Sequence, residues 1–283
     1  MLPNTNVFSN LGSDGRVFAY VNGDDLVVRD LVTGPEGSVR SAGDRNAHYE
    51  GHAFSRDGRL FYSWHRENQQ RCELYLTTFG RDLSPESRLL LESGDWVWMS
   101  PYDGSPDGSL VAIGLERADG TGQIGIVSVA DGSLRVLKSI AWHVPKSIAF
   151  SPDGRYLAFD LAQGESVAAD VFTIAVDGSS EKAIVGHPGA DELVAWSPDG
   201  GHLLFQSDRG GQRGLWSVAV RDGAANGQPH LLRSTIEQSF APLGFNSQGD
   251  LIYGVVAPYQ TLSVFRLRAS TSLPTRSIRP LKT

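Results

Sequence analysis

Short apolar segments alternate with polar turns along the whole chain. In the clearest example, the mostly apolar residues 147–150 lead into a Ser-Pro-Asp-Gly turn at 151–154, and Tyr-Leu-Ala-Phe follows at 156–159. Proline fixes φ at the first central position of such a turn, aspartate can bond its own backbone, and glycine accepts the corner where φ is positive. The residues after the turn are apolar at successive positions, which is typical of a strand packed between two sheets.

The second half of each unit predicts two more strands. Residues 170–176 read Asp-Val-Phe-Thr-Ile-Ala-Val, an Asp-Gly pair follows at 177–178, and a more polar segment comes next at 181–185. Asp-Gly pairs also occur at 131–132 and 222–223, and such pairs are a strong signal for a tight hairpin. No long segment has the 3.6-residue periodicity of a helix, so the pattern predicts an all-β protein.

The turn motif recurs through the chain at a nearly constant spacing. Its copies place the turn glycine at positions 15, 58, 108, 154, 200 and 249, with steps of 43 to 50 residues. Four antiparallel strands in each unit of about 40–50 residues is the pattern of a β-propeller, in which small sheets bury their apolar faces against one another.

We therefore predict one all-β domain over residues 1–283, a six-bladed β-propeller with four antiparallel strands per blade. The predicted blades span about residues 5–46, 47–95, 96–142, 143–188, 189–236 and 237–283. A stack of β-sandwiches is the alternative, but sandwiches lack this regular spacing.

The two ends of the chain bear on how such a ring closes. The first unit begins with its own inner strand near residues 6–11, and the last unit ends with its own outer strand near residues 276–281. No strand is therefore left to be exchanged between the ends. We expect either that apolar packing between the first and last blades closes the ring, or that the chain is a piece of a longer protein.

The turn and the strands around it resemble the TolB-type, WD40-like propeller repeat. The resemblance rests on the Ser-Pro-Asp-Gly turns and on segments such as 170–178, extends over essentially all 283 residues, and includes a Ser-Asp-Arg-x-Gly loop at 207–211. It implies a propeller that binds protein or peptide partners. The chain shows none of the separate N-terminal domain of TolB-like proteins, which favours a detached or sensory propeller over an envelope scaffold.

Composition and charge narrow the range of partners and compartments. The chain has 25 Lys and Arg against 32 Asp and Glu, a net charge of −7, which argues against nucleic acid and anionic membranes as partners. No apolar run approaches the roughly 18 residues of a membrane span, so we expect no membrane insertion. The family resemblance suggests a periplasmic location, whereas the first residues carry no export signal and fit a cytoplasmic one.

Motifs for catalysis or cofactor binding are scarce. The chain has no Gly-x-Ser-x-Gly elbow and no His-Glu-x-x-His segment, and its single cysteine, Cys72, excludes a cysteine-based zinc cluster. The Gly-x-Gly-x-x-Gly match at 120–125 lies between predicted strands, so we interpret it as a hairpin. His48 and His52 would lie roughly 13 Å apart on a strand, too far to share an ion. We predict no catalytic residue, no metal ligand and no cofactor, and leave a channel-bound Ca²⁺ or other divalent ion open as an alternative.

Propeller geometry places a candidate site at one rim of the central channel. The first strand of each blade lines the channel and leads into the Ser-Pro-Asp-Gly turn, so the residues just before that strand mark the opposite rim. Loops on a rigid scaffold commonly carry function, and aromatic residues are favoured at binding interfaces. We define the rim residues as Glu50, His52, Trp98, Tyr102, His143, Lys146, Asp191, Glu192 and Phe240.

Two functional hypotheses follow from this set. The favoured one is a non-catalytic binding or scaffold module whose protein or peptide partner contacts the rim residues. The alternative is a metal-assisted propeller hydrolase or lyase that acts on a sugar, lactone or ester. The alternative requires at least three rim side chains to converge on one point, and its candidates are Glu50, His52, His143, Asp191 and Glu192.

Overall fold

The fold consists of antiparallel β-sheets built from consecutive segments of the chain. The computed structural model describes residues 9–12, 16–22, 25–40, 47–141, 143–162, 168–236, 240–245, 249–255 and 261–266. These residues form six sheets, named I to VI in chain order, and their helical element is the 3₁₀ turn Glu67–Gln69. Within this part of the chain, no helix has the length and apolarity that a membrane crossing needs.

Sheets I to III contain four strands each. Sheet I has β1 (Ser9–Leu11), β2 (Val17–Asn22), β3 (Asp25–Asp30) and β4 (Glu36–Arg40); sheet II has β5 (Ala47–Phe54), β6 (Leu60–Arg66), β7 (Arg71–Phe79) and β8 (Pro85–Ser93); sheet III has β9 (Trp98–Gly104), β10 (Leu110–Glu116), β11 (Thr121–Ser128) and β12 (Leu134–Ala141).

Sheets IV to VI continue the series with small variations. Sheet IV has β13 (Ile148–Phe150), β14 (Tyr156–Ala162), β15 (Ala169–Ala175) and β16 (Glu181–Val185); sheet V has β17 (Asp191–Trp196), β18 (His202–Ser207), β19 (Gly214–Arg221), β20 (Ala224–Ala225) and β21 (His230–Arg233); sheet VI has β22 (Phe240–Phe245), β23 (Asp250–Val255) and β24 (Thr261–Arg266). Both β20 and β21 pair with β19. The strand predicted near residues 276–281 lies outside the described residues.

The repeated turn owes its conformation to the residues that the sequence pattern singled out. In the fourth copy, the Ser151 hydroxyl donates to Asp153 at 2.6 Å, and the Gly154 N–H donates to the Ser151 carbonyl at 2.9 Å. Gly154 has a φ of +73°, a conformation that glycine adopts without steric cost. The same serine–aspartate bond recurs in the turns that begin at Ser55, Ser105 and Ser197.

The second strand of a sheet packs against a neighbouring sheet on each of its faces. In β14, Leu157 and Phe159 belong to an apolar cluster shared with sheet III, whereas Ala158 belongs to a cluster shared with sheet V. Successive side chains of a strand point to opposite faces, so a strand that is apolar at every position needs two partners. The apolar runs after each turn are explained by this two-sided burial.

Six apolar clusters join the sheets in a closed succession. Clusters link I to II, II to III, III to IV, IV to V and V to VI, and the sixth links VI back to I through Phe18 and Tyr20 with Leu243 and Ile252. The first strands of the sheets, β1, β5, β9, β13, β17 and β22, likewise contact one another in order, and β22 contacts β1. The predicted all-β class and antiparallel pairing are confirmed, and sheets I to IV have the predicted four strands.

Candidate functional site

The rim residues lie on, or just before, the first strand of sheets II to VI. Glu50 and His52 lie in β5, Trp98 and Tyr102 in β9, Asp191 and Glu192 at the start of β17, and Phe240 at the start of β22. His143 and Lys146 lie in the segment that leads into β13. The side chain of Phe240 lies outside the described part of the structure, so its predicted role stays a prediction.

Lys146 and Glu192 form an ion pair that joins the segment before β13 to β17. Lys146 Nζ lies 2.8 Å from Glu192 Oε1, and the second oxygen of Glu192 accepts a hydrogen bond from Arg213. Sequence analysis missed Arg213. The pairing of the strands could have indicated it. Ser207 of β18 lies opposite Asp191 on one side and opposite Gly214 on the other, and Arg213 directly precedes Gly214.

Asp191, the neighbour of Glu192, has a different environment. It is fully buried, and one of its oxygens accepts a 2.7 Å hydrogen bond from Arg209. The Arg209 guanidinium lies over the rings of Phe205 and Trp216, at 4.9 and 5.5 Å from their centroids. The other oxygen of Asp191 is buried and has no hydrogen-bond partner among the residues that the structure describes. Asp191 therefore holds the Ser-Asp-Arg-x-Gly loop within sheet V and is closed to a large ligand.

Trp98 and Tyr102 pack their rings over one glycine of the neighbouring strand. A Cβ atom on Gly114 of β10 would lie 2.8 Å from the Tyr102 ring and 3.1 Å from the Trp98 ring. The Tyr102 hydroxyl donates to the Pro145 carbonyl at 2.5 Å, which connects sheet III to the segment before β13. Burial, followed by the charge of Asp160, raises the pKa of Tyr102 well above its ordinary value, so this hydroxyl stays protonated.

Asp160 of β14 holds the segment that carries Lys146, and sequence analysis did not identify it. One carboxyl oxygen accepts the backbone N–H groups of Lys146 and Ser147 at 2.8 and 3.0 Å, and the other accepts that of Leu193 at 3.1 Å. Burial raises the pKa of Asp160 to about 6, and these hydrogen bonds oppose the shift. His143, in the same segment, is exposed and has a φ of +83°.

His52 is buried between sheets I and II. The Tyr49 hydroxyl hydrogen-bonds its Nδ1 atom, and its Nε2 atom is buried and makes no side-chain hydrogen bond within the described part of the chain. Burial lowers the pKa of His52 to about 4, although the backbone of Ala19 opposes the shift. His48, four residues earlier, is exposed and pairs with Glu67 at 3.0 Å. The two histidines thus have separate partners in the structure.

Glu50 is partly buried and has no hydrogen-bond or ion-pair partner among the described residues. Burial raises the pKa of its carboxyl to about 7. The charge of Glu50 also acts on Cys72 of β7. Burial is the main cause, and the Glu50 charge the second, that raises the pKa of the Cys72 thiol to about 12. The thiol is therefore neutral and donates to the Trp96 carbonyl at 3.4 Å.

Asp103 of β9 is a second carboxyl that sequence analysis overlooked. Loss of solvation raises its pKa to about 7, opposed by the hydrogen bond from the Phe150 backbone N–H and by the charge of Arg56. The Phe150 bond measures 2.8 Å and joins β9 to β13. The sequence did contain a signal for it. Two residues before the turn serine, where other units have Ala53 and Ala149, this unit has an aspartate.

The arrangement of these groups bears on metal binding. In the described residues, no group of three or more His, Cys, Asp or Glu side chains is placed to hold a metal ion. Of the five candidates for the enzymatic alternative, Asp191 and Glu192 bind arginines and His52 binds Tyr49. His143 is exposed, and Glu50 has no partner among the described residues. The structure brings the rim residues Lys146 and Glu192 together from neighbouring units.

Comparisons with known proteins agree with the repeat pattern. The family model for the TolB beta propeller domain matches residues 57–245. No curated protein matches the chain. TolB from Acinetobacter baumannii superposes with a TM-score of 0.66 at 16% identity, over 89% of this chain and 61% of that one. The chain thus spans about three fifths of the length of that TolB.

Two further solved structures share the fold. A protein assigned as TolB from Agrobacterium tumefaciens has a TM-score of 0.57 at 19% identity, over 80% of this chain and 79% of that one. Oligogalacturonate lyase from Vibrio parahaemolyticus has a TM-score of 0.60 at 15% identity, over 90% of this chain and 76% of that one. At such identities the likeness establishes the fold alone, and this fold occurs in an enzyme as well as in TolB.

Proposed function

The chain belongs to the TolB β-propeller domain family, and from that membership we propose that it is a binding module whose protein or peptide partner contacts the rim residues. One fold hosts many functions, so family membership alone leaves the activity open. The assignment of the function to the rim therefore rests on the contacts and exposure of its side chains.

We further propose that the six sheets are six blades of one ring, so that residues 1–283 form a single propeller domain. The support is the succession of apolar clusters that returns from sheet VI to sheet I. A small sheet with two apolar faces needs a neighbour on each side, and a closed ring gives one to every sheet. The alternative of stacked sandwiches offers no such cyclic contact between the first and last units.

The observation that carries the binding proposal is the set of contacts that hold the rim residues of sheets III, IV and V together. Tyr102 binds the carbonyl of Pro145, and Glu192 binds Lys146 one residue further along the chain. Asp160 holds the backbone of the same segment to β17. A surface fixed in this way has little conformational freedom to lose when a partner binds.

The same contacts leave several side chains available to a partner. His143 and Lys146 are exposed, and the side chain of Lys146 is 71% accessible even though it pairs with Glu192. Trp98 is partly exposed. Tryptophan is enriched among binding hot spots, and an exposed charged side chain can pair with an opposite charge on a partner. We therefore expect Trp98 and Lys146 to contribute directly to binding.

Selection of peptides from a phage-displayed library against the immobilised full chain tests this proposal. Synthetic copies of the selected peptides would be measured by calorimetry against wild type and variants. We expect Trp98→Ala and Lys146→Ala to weaken binding about tenfold, or about 1.4 kcal/mol. Lys182→Ala is the matched control, because Lys182 lies on β16 and binds the Asp222 carbonyl. Equal affinity of all four proteins would refute binding at the rim.

The enzymatic alternative has one specific observation in its favour. Glu50 and Asp103 both have pKa values of about 7, and carboxyls with such values suit general acid–base catalysis at neutral pH. If this alternative holds, the chain turns over an oligogalacturonate or a related sugar acid when a divalent ion such as Ca²⁺ is added, and Glu50→Gln abolishes turnover. Metal analysis of the purified protein and formation of the unsaturated product are the measurements that decide.

A further inference from the structure

Glu50 differs from the other carboxylates among the rim residues. Asp191 is paired with Arg209, and Glu192 is paired with both Lys146 and Arg213. Glu50 has neither a cation nor a hydrogen-bond donor as partner in the described part of the chain. A partly buried carboxyl without a partner is costly, because it loses hydration without gaining a compensating bond. Such a group is therefore a candidate for completion by a ligand.

The backbone of β5 places Glu50 in a way that the other first strands do not share. In β9, β17 and β22 a β-bulge falls six residues before the turn glycine, at Tyr102, Val194 and Leu243. In β5 the bulge falls at Glu50, eight residues before Gly58. A β-bulge leaves one residue out of the ladder and re-aims its side chain. The displaced bulge thus gives Glu50 an orientation specific to sheet II.

The described residues that lie beside Glu50 are uncharged at neutral pH. Cys72 of β7 lies close enough for the charge of Glu50 to raise its pKa, and this thiol is neutral. On the side of β9, Ser100 packs against Gly51 so closely that a Cβ atom on Gly51 would lie 2.0 Å from the Ser100 hydroxyl oxygen. On the side of β6, the residues paired beside the bulge are Ser63 and Trp64. The neighbours are neutral polar and aromatic groups.

We propose that Glu50 binds a cationic group of the partner, the ammonium of a lysine or the guanidinium of an arginine, at the channel rim. This assignment rests on the proposed peptide-binding function and specifies one contact within it. An ionised carboxylate and a cationic donor form a charge-assisted hydrogen bond that is stronger than a neutral one. This bond would give the Glu50 carboxylate the hydrogen-bond donor that it lacks among the described residues.

Binding of a cation at Glu50 is expected to depend on pH. The carboxyl must be ionised to pair with the cation, and its pKa of about 7 means that it is mostly protonated at pH 6 and mostly ionised at pH 8. The apparent affinity scales with the fraction of protein in the competent state, so the dissociation constant should fall about tenfold between pH 6 and pH 8. His52, two residues away and with a pKa of about 4, stays neutral over this range.

Four synthetic peptide pools test the assignment. Each pool has random flanks and a fixed central residue, which is lysine, arginine, norleucine or glutamate, and binding to the full-length protein is measured by fluorescence anisotropy at pH 6 and pH 8. At pH 8 we expect the lysine and arginine pools to bind wild type about tenfold more tightly than the norleucine pool. Glu50→Gln should abolish this preference at both pH values.

The control variant is Glu86→Gln, because Glu86 is exposed on β8, away from the rim; it should keep the preference of wild type. Carbon-detected NMR of the glutamate carboxyls adds a direct readout, in which the Glu50 midpoint falls when one lysine peptide saturates the protein. Equal binding of the four pools to wild type at pH 8 would overturn the role of Glu50 and leave rim binding intact. Binding of no pool would overturn rim binding as well.

Discussion

At the scale of single residues, removal from water is the main cause of the altered acidities around the rim. Burial raises the pKa of Glu50 and Asp103 to about 7 and that of Asp160 to about 6, and it lowers the pKa of His52 to about 4. In each case the neutral form is favoured, because charge is poorly solvated there. The folded chain therefore retains carboxyl protons that the unfolded chain releases.

Asp103 provides a test of this linkage between protonation and stability. Its pKa rises from 3.8 to about 7 on folding, so its contribution to stability is present below pH 3.8 and is lost as the pH rises toward 7. Asparagine cannot ionise, yet its carbonyl can still accept the Phe150 N–H. We expect Asp103→Asn to be more stable than wild type at pH 8, on the order of 1–3 kcal/mol, and about equal at pH 4.

Urea unfolding followed by circular dichroism at both pH values measures this difference. Asp95→Asn is the matched control, because Asp95 is exposed, and we expect it to change the unfolding free energy by less than about 0.5 kcal/mol at either pH. If Asp103→Asn is no more stable at pH 8 than at pH 4 relative to wild type, burial does not hold the Asp103 proton.

At the scale of the sheet, strand geometry gives adjacent carboxylates opposite roles. Asp191 and Glu192 are neighbours in β17, and successive side chains of a strand point to opposite faces. Asp191 therefore reaches Arg209 inside sheet V, while Glu192 reaches Lys146 from the neighbouring unit. The first contact is enclosed and the second is partly exposed, so the two pairs should differ greatly in their effect on stability.

Removing Arg209 tests the enclosed pair. Arg209→Ala leaves the Asp191 carboxylate buried without its cation, which should cost about 3–5 kcal/mol of unfolding free energy. Arg155→Ala is the control, because the Arg155–Asp153 pair is exposed and should cost less than about 1 kcal/mol. Adding Asp191→Asn to Arg209→Ala should recover part of the loss; if the double variant is as unstable as the sum of the singles, the two residues do not act as a pair.

At the scale of the whole molecule, the contact between the first and last sheets bears on ring closure. The cluster of Phe18 and Tyr20 with Leu243 and Ile252 is apolar and buried. It is the packing expected if the ends of the chain do not exchange a strand. The stability of sheets I and VI should then be coupled, because each covers an apolar face of the other.

Leu243→Ala tests this coupling. Truncation of a buried leucine typically costs about 2–5 kcal/mol, and hydrogen exchange should show faster amide exchange in both β2 and β23, with β10 and β14 less affected. Leu31→Ala is the control, because Leu31 is exposed and should change stability by less than about 0.5 kcal/mol. Faster exchange confined to sheet VI would mean that the two ends of the chain do not support each other.

The sequence alone was sufficient to predict the all-β class, the antiparallel sheets and the positions of the turns. Each turn is made by residues two or three apart, as in the bonds from Ser151 to Asp153 and from Gly154 to Ser151. Apolar residues at successive positions after each turn indicated burial on two faces. These local patterns recur in every unit, because each unit needs the same turn and a neighbouring sheet on each of its two faces.

Only the tertiary structure decided which partner each polar rim residue has. The bonds that define the site connect residues about one repeat apart in the chain, such as Lys146 with Glu192 and Phe150 with Asp103. A local pattern cannot report a contact across such a separation, nor the burial that sets the acidity of Glu50. The fold brings these residues together because adjacent units pack side by side, and this packing determines which charges pair with one another and which stay exposed.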